Sequence, residues 1–280
     1  MKLSDLILHP KSRVQLENYL KKPTHALLLS GENGVGLRTI ARSLTQQVAR
    51  ANMIIIEPKL HNHQKTLTIN IDDIRGLNEL TRTRRSENFV ILIDDADKMT
   101  NDAPQAFLKL LEEPTANVFY ILTSHNIHKL PETIRSRTQI IEILPPPTEL
   151  TQKVFETSPL KLTTEKRTQI EFLANRKPAE ITRLLTDEEY FRSEVAIMNT
   201  AKNFVMGSTV EKLKIVVATT TREAAIELTE NVAKLFMLTA PKAKSPEATV
   251  GKFSVIATTI ENLVQNGNVR AQLLNLALHI

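Results

Sequence analysis

A run of apolar residues, Ala26-Leu27-Leu28-Leu29-Ser30, leads straight into Gly31-Glu32-Asn33-Gly34-Val35-Gly36. The chain is poor in glycine, with 7 in 280 residues, and three of them stand inside this hexapeptide. Glycine is needed where the backbone takes positive φ or comes close to something else. After the loop, Leu37, Ile40, Ala41, Leu44 and Val48 recur at helical spacing, so the order is strand, glycine loop, helix. A loop of this kind either surrounds phosphate oxygens with backbone N–H groups at a helix N-terminus, or is a plain tight turn.

In a phosphate loop the next two residues are Lys, which reaches the β/γ-phosphates, and Ser or Thr, which holds Mg²⁺. Here they are Leu37 and Arg38. Leu37 offers a phosphate neither charge nor donor. Arg38-Thr39 is not the same pair shifted along, because one helical step turns a side chain by about 100° and lifts it by about 1.5 Å. Efficient hydrolysis is not expected, although backbone groups could still hold residual ATP or ADP.

A second motif bears on the first. Val90-Ile91-Leu92-Ile93 is followed by Asp94-Asp95, the Walker B order of a buried strand ending in paired acids. Asp94 would bind Mg²⁺, and Asp95 stands where a glutamate commonly orients the attacking water. The alternative is two solvated acids at a strand end.

Five apolar strands are expected, at Ala26–Ser30, Met53–Glu57, Phe89–Ile93, Val118–Thr123 and Gln139–Leu144, with helices between them. Strands so apolar need both faces covered, which predicts a parallel three-layer α/β sheet. Asn101-Asp102 is a candidate cap for a helix that Pro114 stops, and Pro145–Pro147 marks a domain boundary. Beyond it only helices are expected: two short ones around Ile170–Leu173 and Ile181–Leu185, then two long ones over Ala225–Phe236 and Val250–Val264. Pro241–Glu247 reads as a loop, and Asn266-Gly267-Asn268 as a break before Leu273–Leu278.

Composition excludes more than it selects. With 41% hydrophobic and 24% charged residues the chain is globular rather than disordered. The lack of cysteine excludes disulfides, thiol catalysis and Cys-based zinc sites. No apolar run is long enough to cross a bilayer and the N-terminus has no leader pattern, so a soluble, cytoplasmic protein without membrane partners is expected. The net charge of +5 is compatible with phosphate-backbone contact, but many enzymes share it. His61-Asn62-His63, and His125 with His128, carry too little pattern for a metal site, and none is expected. Arg82, Arg84 and Arg85 form the sharpest basic cluster, read as a solvated helix end or as a contact for DNA phosphates or a partner subunit. Without Trp, and with 3 Tyr, no stacking platform for single strands is offered.

Four segments carry a resemblance. Asp94-Asp95-Ala96-Asp97-Lys98-Met99, Ala106-Phe107-Leu108-Lys109-Leu110-Leu111-Glu112-Glu113-Pro114, Lys129-Leu130-Pro131 and Ile134-Arg135-Ser136-Arg137 resemble, in order and spacing, the AAA+ subunits of bacterial DNA polymerase III clamp loaders. The likeness is close over about 88–140 and looser over 1–87; Ile260–Val264, Asn266-Gly267-Asn268 and Leu273–Leu278 resemble the last helices of that family's collar. It implies an AAA+ P-loop-like domain over 1–146, a helical lid over 147–188 and an all-α collar over 189–280 that drives oligomerisation.

Within the family, a decayed phosphate loop beside an intact Ser-Arg box resembles the delta-prime type. That likeness implies a non-hydrolysing subunit that helps load a sliding clamp onto primed DNA. It needs no cofactor, and it works with motor and clamp-opening subunits inside an ATP-dependent polymerase assembly. Gly31, Gly34, Gly36, Leu37, Arg38, Asp94, Asp95 and Ser124 would be its degenerate nucleotide site, with Ser124 at the sensor 1 position. Pro178 falls where a sensor 2 arginine would stand. Arg137 would be an arginine finger facing a neighbour's nucleotide; otherwise it is a surface arginine paired with Glu132 or Glu142. Two departures are the absence of a four-cysteine zinc module over 57–69 and Thr138 where the box usually ends in Cys. The rival readings are an active motor ATPase (gamma/tau-like, or a related AAA+ remodelling enzyme) using Arg38-Thr39, and a DNA-binding protein that has only inherited the fold.

Overall fold

The computed structural model describes residues 2–50, 52–61, 66–81, 85–157, 162–239 and 246–280. It divides into two compact units, Met1–Thr186 and Asp187–Ile280.

The first unit is built on five parallel strands in the order β2-β3-β4-β1-β5. They are β1 (Ala26–Ser30), β2 (Met53–Ile56), β3 (Phe89–Ile93), β4 (Val118–Ser124) and β5 (Gln139–Glu142). The period of two in each strand sorts its residues between two cores. Ala26 and Leu28, Phe89, Ile91 and Ile93, and Val118, Tyr120 and Leu122 face one side. Leu27 and Leu29, Val90 and Leu92, and Ile121 face the other. Helix α1 (Pro10–Lys21), through Leu16 and Tyr19, and α2 (Leu37–Ala49), through Leu37, Ile40 and Leu44, cover the second face. Helices α3 (Ile71–Thr81), α4 (Ala103–Glu112) and α5 (Glu132–Arg135) cover the first with Ile74, Leu77, Phe107, Leu111 and Ile134. Parallel strands with apolar residues on both faces need helices above and below, and here they have them. Ser12 ties α1 to the edge: its hydroxyl donates to Glu142 O at 2.9 Å and accepts from Leu144 N at 3.1 Å.

Strand order positions the site. The chain leaves β1, crosses to β2 at the far edge, and later hops from β4 over β1 to β5. Such a switch point opens a crevice at the carboxyl ends of the central strands. There the glycine loop after β1 lies next to the end of β4, with the acids after β3 one strand further on.

Helices α6 (Thr148–Glu156), α7 (Thr164–Ala174) and α8 (Pro178–Thr186) complete the first unit. Asn175 and Arg176, both at positive φ, turn α7 into α8. The second unit is helical throughout its described residues: α9 (Glu188–Met206), α10 (Thr209–Ala218), α11 (Arg222–Thr239), α12 (Pro246–Val264) and α13 (Val269–His279). Ala201, Phe204, Val216, Leu228, Val232, Ile256, Leu263, Leu273 and Leu276 form its core.

Three local expectations are corrected. The last strand stops at Glu142 rather than Leu144, because Leu144 N is taken by Ser12 instead of a neighbouring strand. Asp102 sits at the N-cap of α4, but its side chain makes no capping bond. Pro246 and Glu247 belong to the first turn of α12 rather than to a loop, since proline suits a first helical turn; positions 241–245 lie outside the described residues. Helices α1, α6, α9 and α10 were not foreseen.

Candidate functional site

The loop is shaped by its glycines. Gly34 and Gly36 hold φ of 89° and 96°, and Gly36 is the N-cap of α2. Gly31 N donates to Ser124 O at 3.3 Å, which pins the loop to the end of β4. The N–H groups of the first turn of α2 have no intrahelical acceptor, so a backbone cradle for an anion survives in outline.

The side chains do not complete it. Leu37 is 2% exposed and packs in the core with Ile40 and Leu44, the place its apolar chemistry dictates. Arg38 turns across the carboxyl ends of the strands instead. Its Nε lies 3.4 Å from Asp94 Oδ2, and its terminal nitrogen pairs with Glu57, which follows β2. Arg42, one turn along α2, approaches the same Glu57 oxygen at 3.4 Å.

Asp94 is buried at 5% exposure, and both its oxygens are engaged. Oδ1 accepts from the buried hydroxyl of Thr123 at 2.7 Å, while Oδ2 faces Arg38. Asp95, at φ 49°, donates its backbone N–H to the same Thr123 hydroxyl at 2.8 Å and pairs with Lys98 at 2.7 Å. His125 stands between loop and acids: Nδ1 is 3.0 Å from Gly31 O and Nε2 is 3.5 Å from Asp95 Oδ1. Ser124 is fully buried and its hydroxyl accepts from Asn126 N at 3.2 Å. The hydroxyl that touches the acids is therefore that of Thr123, one residue earlier.

On the far side of the loop, Gly34 O accepts from Ala179 N at 3.1 Å and Glu180 N at 3.2 Å, in the first turn of α8. Lys177 pairs with Glu32 at 2.9 Å. Pro178 opens α8, and the arginine of that helix, Arg183, lines a small cavity of about 190 Å³ with Gly34, Gly36, Arg38, Thr39 and His125. A larger cavity of about 660 Å³ lies between Leu6, Ile7, Val35, Ile40, Pro178 and Thr182.

Magnesium with a nucleoside triphosphate does not fit these residues. A Walker-type metal needs oxygen ligands in near-octahedral geometry, but Arg38 brings a guanidinium to Asp94, and no lysine follows the loop. Sequence reasoning brought together Gly31, Gly34, Gly36, Arg38, Asp94 and Asp95, and the fold places them in one crevice. It missed Glu57, Thr123 and Arg183, which stand in no motif, and it weighed His125 only as half of a metal pair with His128. The signal for Thr123 and His125 was that they flank Ser124.

Arg137 lies elsewhere, after the C-terminal end of α5. It is exposed, donates to Thr133 O at 3.2 Å and pairs with Glu112 at the end of α4 at 2.9 Å, not with Glu132 or Glu142. Arg85 is a packing residue, its guanidinium 3.7 Å over the Phe89 ring; Arg82 and Arg84 lie outside the described residues. His61 Nε2 donates to Thr68 O at 3.1 Å and lies 3.4 Å from Asp73; Asn62 and His63 also lie outside. No group of three or more His, Asp or Glu suited to a metal occurs among the described residues. No helix among them is long and apolar enough to cross a membrane.

Residues 9–147 match the family model described as "DNA polymerase III, delta subunit". The chain is 33% identical over 129 residues to a replication factor C small subunit of Staphylothermus marinus, covering 42% of this chain and 36% of that protein. It is 25% identical over 145 residues to the DNA polymerase III subunit delta' of Haemophilus influenzae, covering 45% and 44%. The chain thus spans less than half the length of these relatives. In three dimensions it is similar to a DNA polymerase III gamma subunit-related protein of Thermotoga maritima, with a TM-score of 0.59 at 20% identity over 95% of this chain and 98% of that one. That likeness concerns the fold alone, a parallel-sheet α/β domain followed by a helical part.

Proposed function

We propose that this chain, whose residues 9–147 match the DNA polymerase III delta-subunit family model, is one of the AAA+ clamp-loader subunits, a delta-prime-like subunit that does not hydrolyse ATP itself. It helps a cytoplasmic loader place a sliding clamp on primed DNA, whose phosphate backbone a chain of net charge +5 can contact. Leu37 carries the reading: the residue that should reach the phosphates is in the core. Asp94, with Arg38 on one oxygen and Thr123 on the other, supports it.

The active role is exercised in trans. Arg137 sits on an exposed helix end, held by a pair with Glu112 in which the side chains are 39% and 52% exposed. An exposed pair of this kind is worth roughly 0–1 kcal/mol, so a neighbour's γ-phosphate competes for the guanidinium at little cost. An always-charged planar fork suits that task better than lysine. The second unit supplies assembly with motor and clamp-opening subunits. On α10, Val210 and Val217 are 61% and 62% exposed, and Leu213 lies on the same stripe.

Reconstitution tests this reading. A loader containing Arg137→Ala and wild-type motor subunits is expected to assemble while its DNA- and clamp-stimulated ATPase falls steeply, since trans fingers contribute roughly 10³–10⁵ in rate. An unchanged rate means that Arg137 is not a finger. Robust turnover by the purified chain, abolished by Asp94→Asn, would favour the motor ATPase instead.

A further inference from the structure

We infer that Arg38 is a tethered cation that takes over the carboxylate a metal would need, so that the degenerate crevice is closed by the protein's own charge. The inference rests on the non-hydrolysing reading above and goes beyond it, because it assigns a role to a residue that the decayed motif would leave with none.

Asp94 is the starting point. A carboxylate at 5% exposure at the end of a central strand is costly unless hydrogen bonds and an opposite charge compensate it. Thr123 satisfies Oδ1 at 2.7 Å, and the charge at Oδ2 comes from Arg38 at 3.4 Å. Arg38 also reaches Glu57, and Arg42 approaches Glu57 from the next turn. Two guanidinium and two carboxylate groups make the cluster formally neutral without any bound ion. It joins the first turns of α2 to the segments following β2 and β3, the connection that a bound cation would otherwise supply. The opposite wall is held by backbone bonds and an ion pair: Gly34 O accepts from the Ala179 and Glu180 N–H groups, and Lys177 pairs with Glu32. Neither set of contacts waits for nucleotide.

Manganese is the probe, titrated into the full-length chain and followed by the electron paramagnetic resonance signal of the free ion. The wild-type chain and Arg38→Lys, which keeps the charge, should show no binding that Asp94→Asn removes. Arg38→Thr should bind Mn²⁺ at least about tenfold more tightly, the lower end of what altering a ligand environment does to metal affinity, and Arg38→Thr/Asp94→Asn should lose that gain. A folded Arg38→Thr that gains nothing, or a wild-type chain that binds Mn²⁺ through Asp94, overturns the inference. If Arg38→Thr does not fold, recovery in Arg38→Thr/Asp94→Asn shows that the uncompensated carboxylate was the fault; continued failure overturns the inference. Asp94-dependent Mn²⁺ binding by the wild type without ATP turnover would defeat this inference alone, whereas turnover would defeat the non-hydrolysing reading.

Discussion

Gly34 carries two constraints at once. Its φ of 89° is one that residues with a Cβ rarely adopt, and a Cβ built there would lie 2.9 Å from Glu180 Cβ. Gly34→Ala should therefore destabilise the first unit by at least about 1–2 kcal/mol, the usual cost of left-handed backbone, and urea unfolding would show it. A midpoint unchanged from wild type would mean that the loop and α8 shift apart freely. Tyr19 shows the opposite case. It is 1% exposed, burial pushes its phenol well above the ordinary value, and its hydroxyl has no partner among the described residues. An unsatisfied buried hydroxyl costs about 1–3 kcal/mol, so Tyr19→Phe should leave stability unchanged or raise it by about 1 kcal/mol in the same measurement. A loss of stability would reveal a partner for the hydroxyl. The role of Gly34 was legible in the sequence because glycine is scarce in this chain. The orphaned hydroxyl of Tyr19 was not, since nothing local to α1 says what packs over it.

Among the elements, legibility followed the width of the apolar stripe. Helices α2, α4 and α8 bury one continuous face, and each was expected from its spacing. Helix α9 buries only Phe191, Met198, Ala201 and Phe204 along 19 residues, a stripe too narrow to stand out. Helix α10 is apolar on several sides at once, with Val216 in the core and Val210 and Val217 outside. Its start was nonetheless written in Ser208 and Glu211: the serine hydroxyl accepts from Glu211 N at 3.4 Å, and Glu211 Oε2 accepts from Ser208 N at 2.7 Å. The Ser208 N–H, and next the Ser208 hydroxyl at 2.8 Å, donate to Glu211 Oε2 and hold that carboxyl below the usual glutamate range. A lowered folded pKa favours the ionised form, so the cap is fully present above the ordinary value and is lost as pH falls through the lowered one. Thermal melting should show this directly. Glu211→Gln should lower the melting temperature by a few degrees near neutral pH, and the gap to wild type should close on acidification. A gap independent of pH would rule out the charged cap.

At the scale of the whole molecule the two units have separate cores, one around a sheet and one among helices. A chain ending at about residue 187 should keep the first core but fail to assemble with partner subunits, as mass measurement of the reconstituted loader would show. Normal assembly of the truncated chain would contradict an oligomerisation role for Asp187–Ile280. The sequence by itself determined the sheet and much of the crevice. Strands buried on both faces must be apolar throughout, helices must show a period near 3.6, and a positive-φ loop must hold glycine; each is a local requirement that leaves a local trace. It also determined that leucine, not lysine, follows the glycine loop. Only the tertiary structure decided which side chains meet beside that loop. Arg38, Glu57 and Asp94 stand after different strands, and Thr123 and His125 sit at the end of a fourth. Their meeting depends on the order β2-β3-β4-β1-β5, a property of long-range pairing that no neighbour along the chain reports. The same holds for Arg137, whose partner proved to be Glu112 on α4, because packing between helices rather than distance along the chain sets which charges meet.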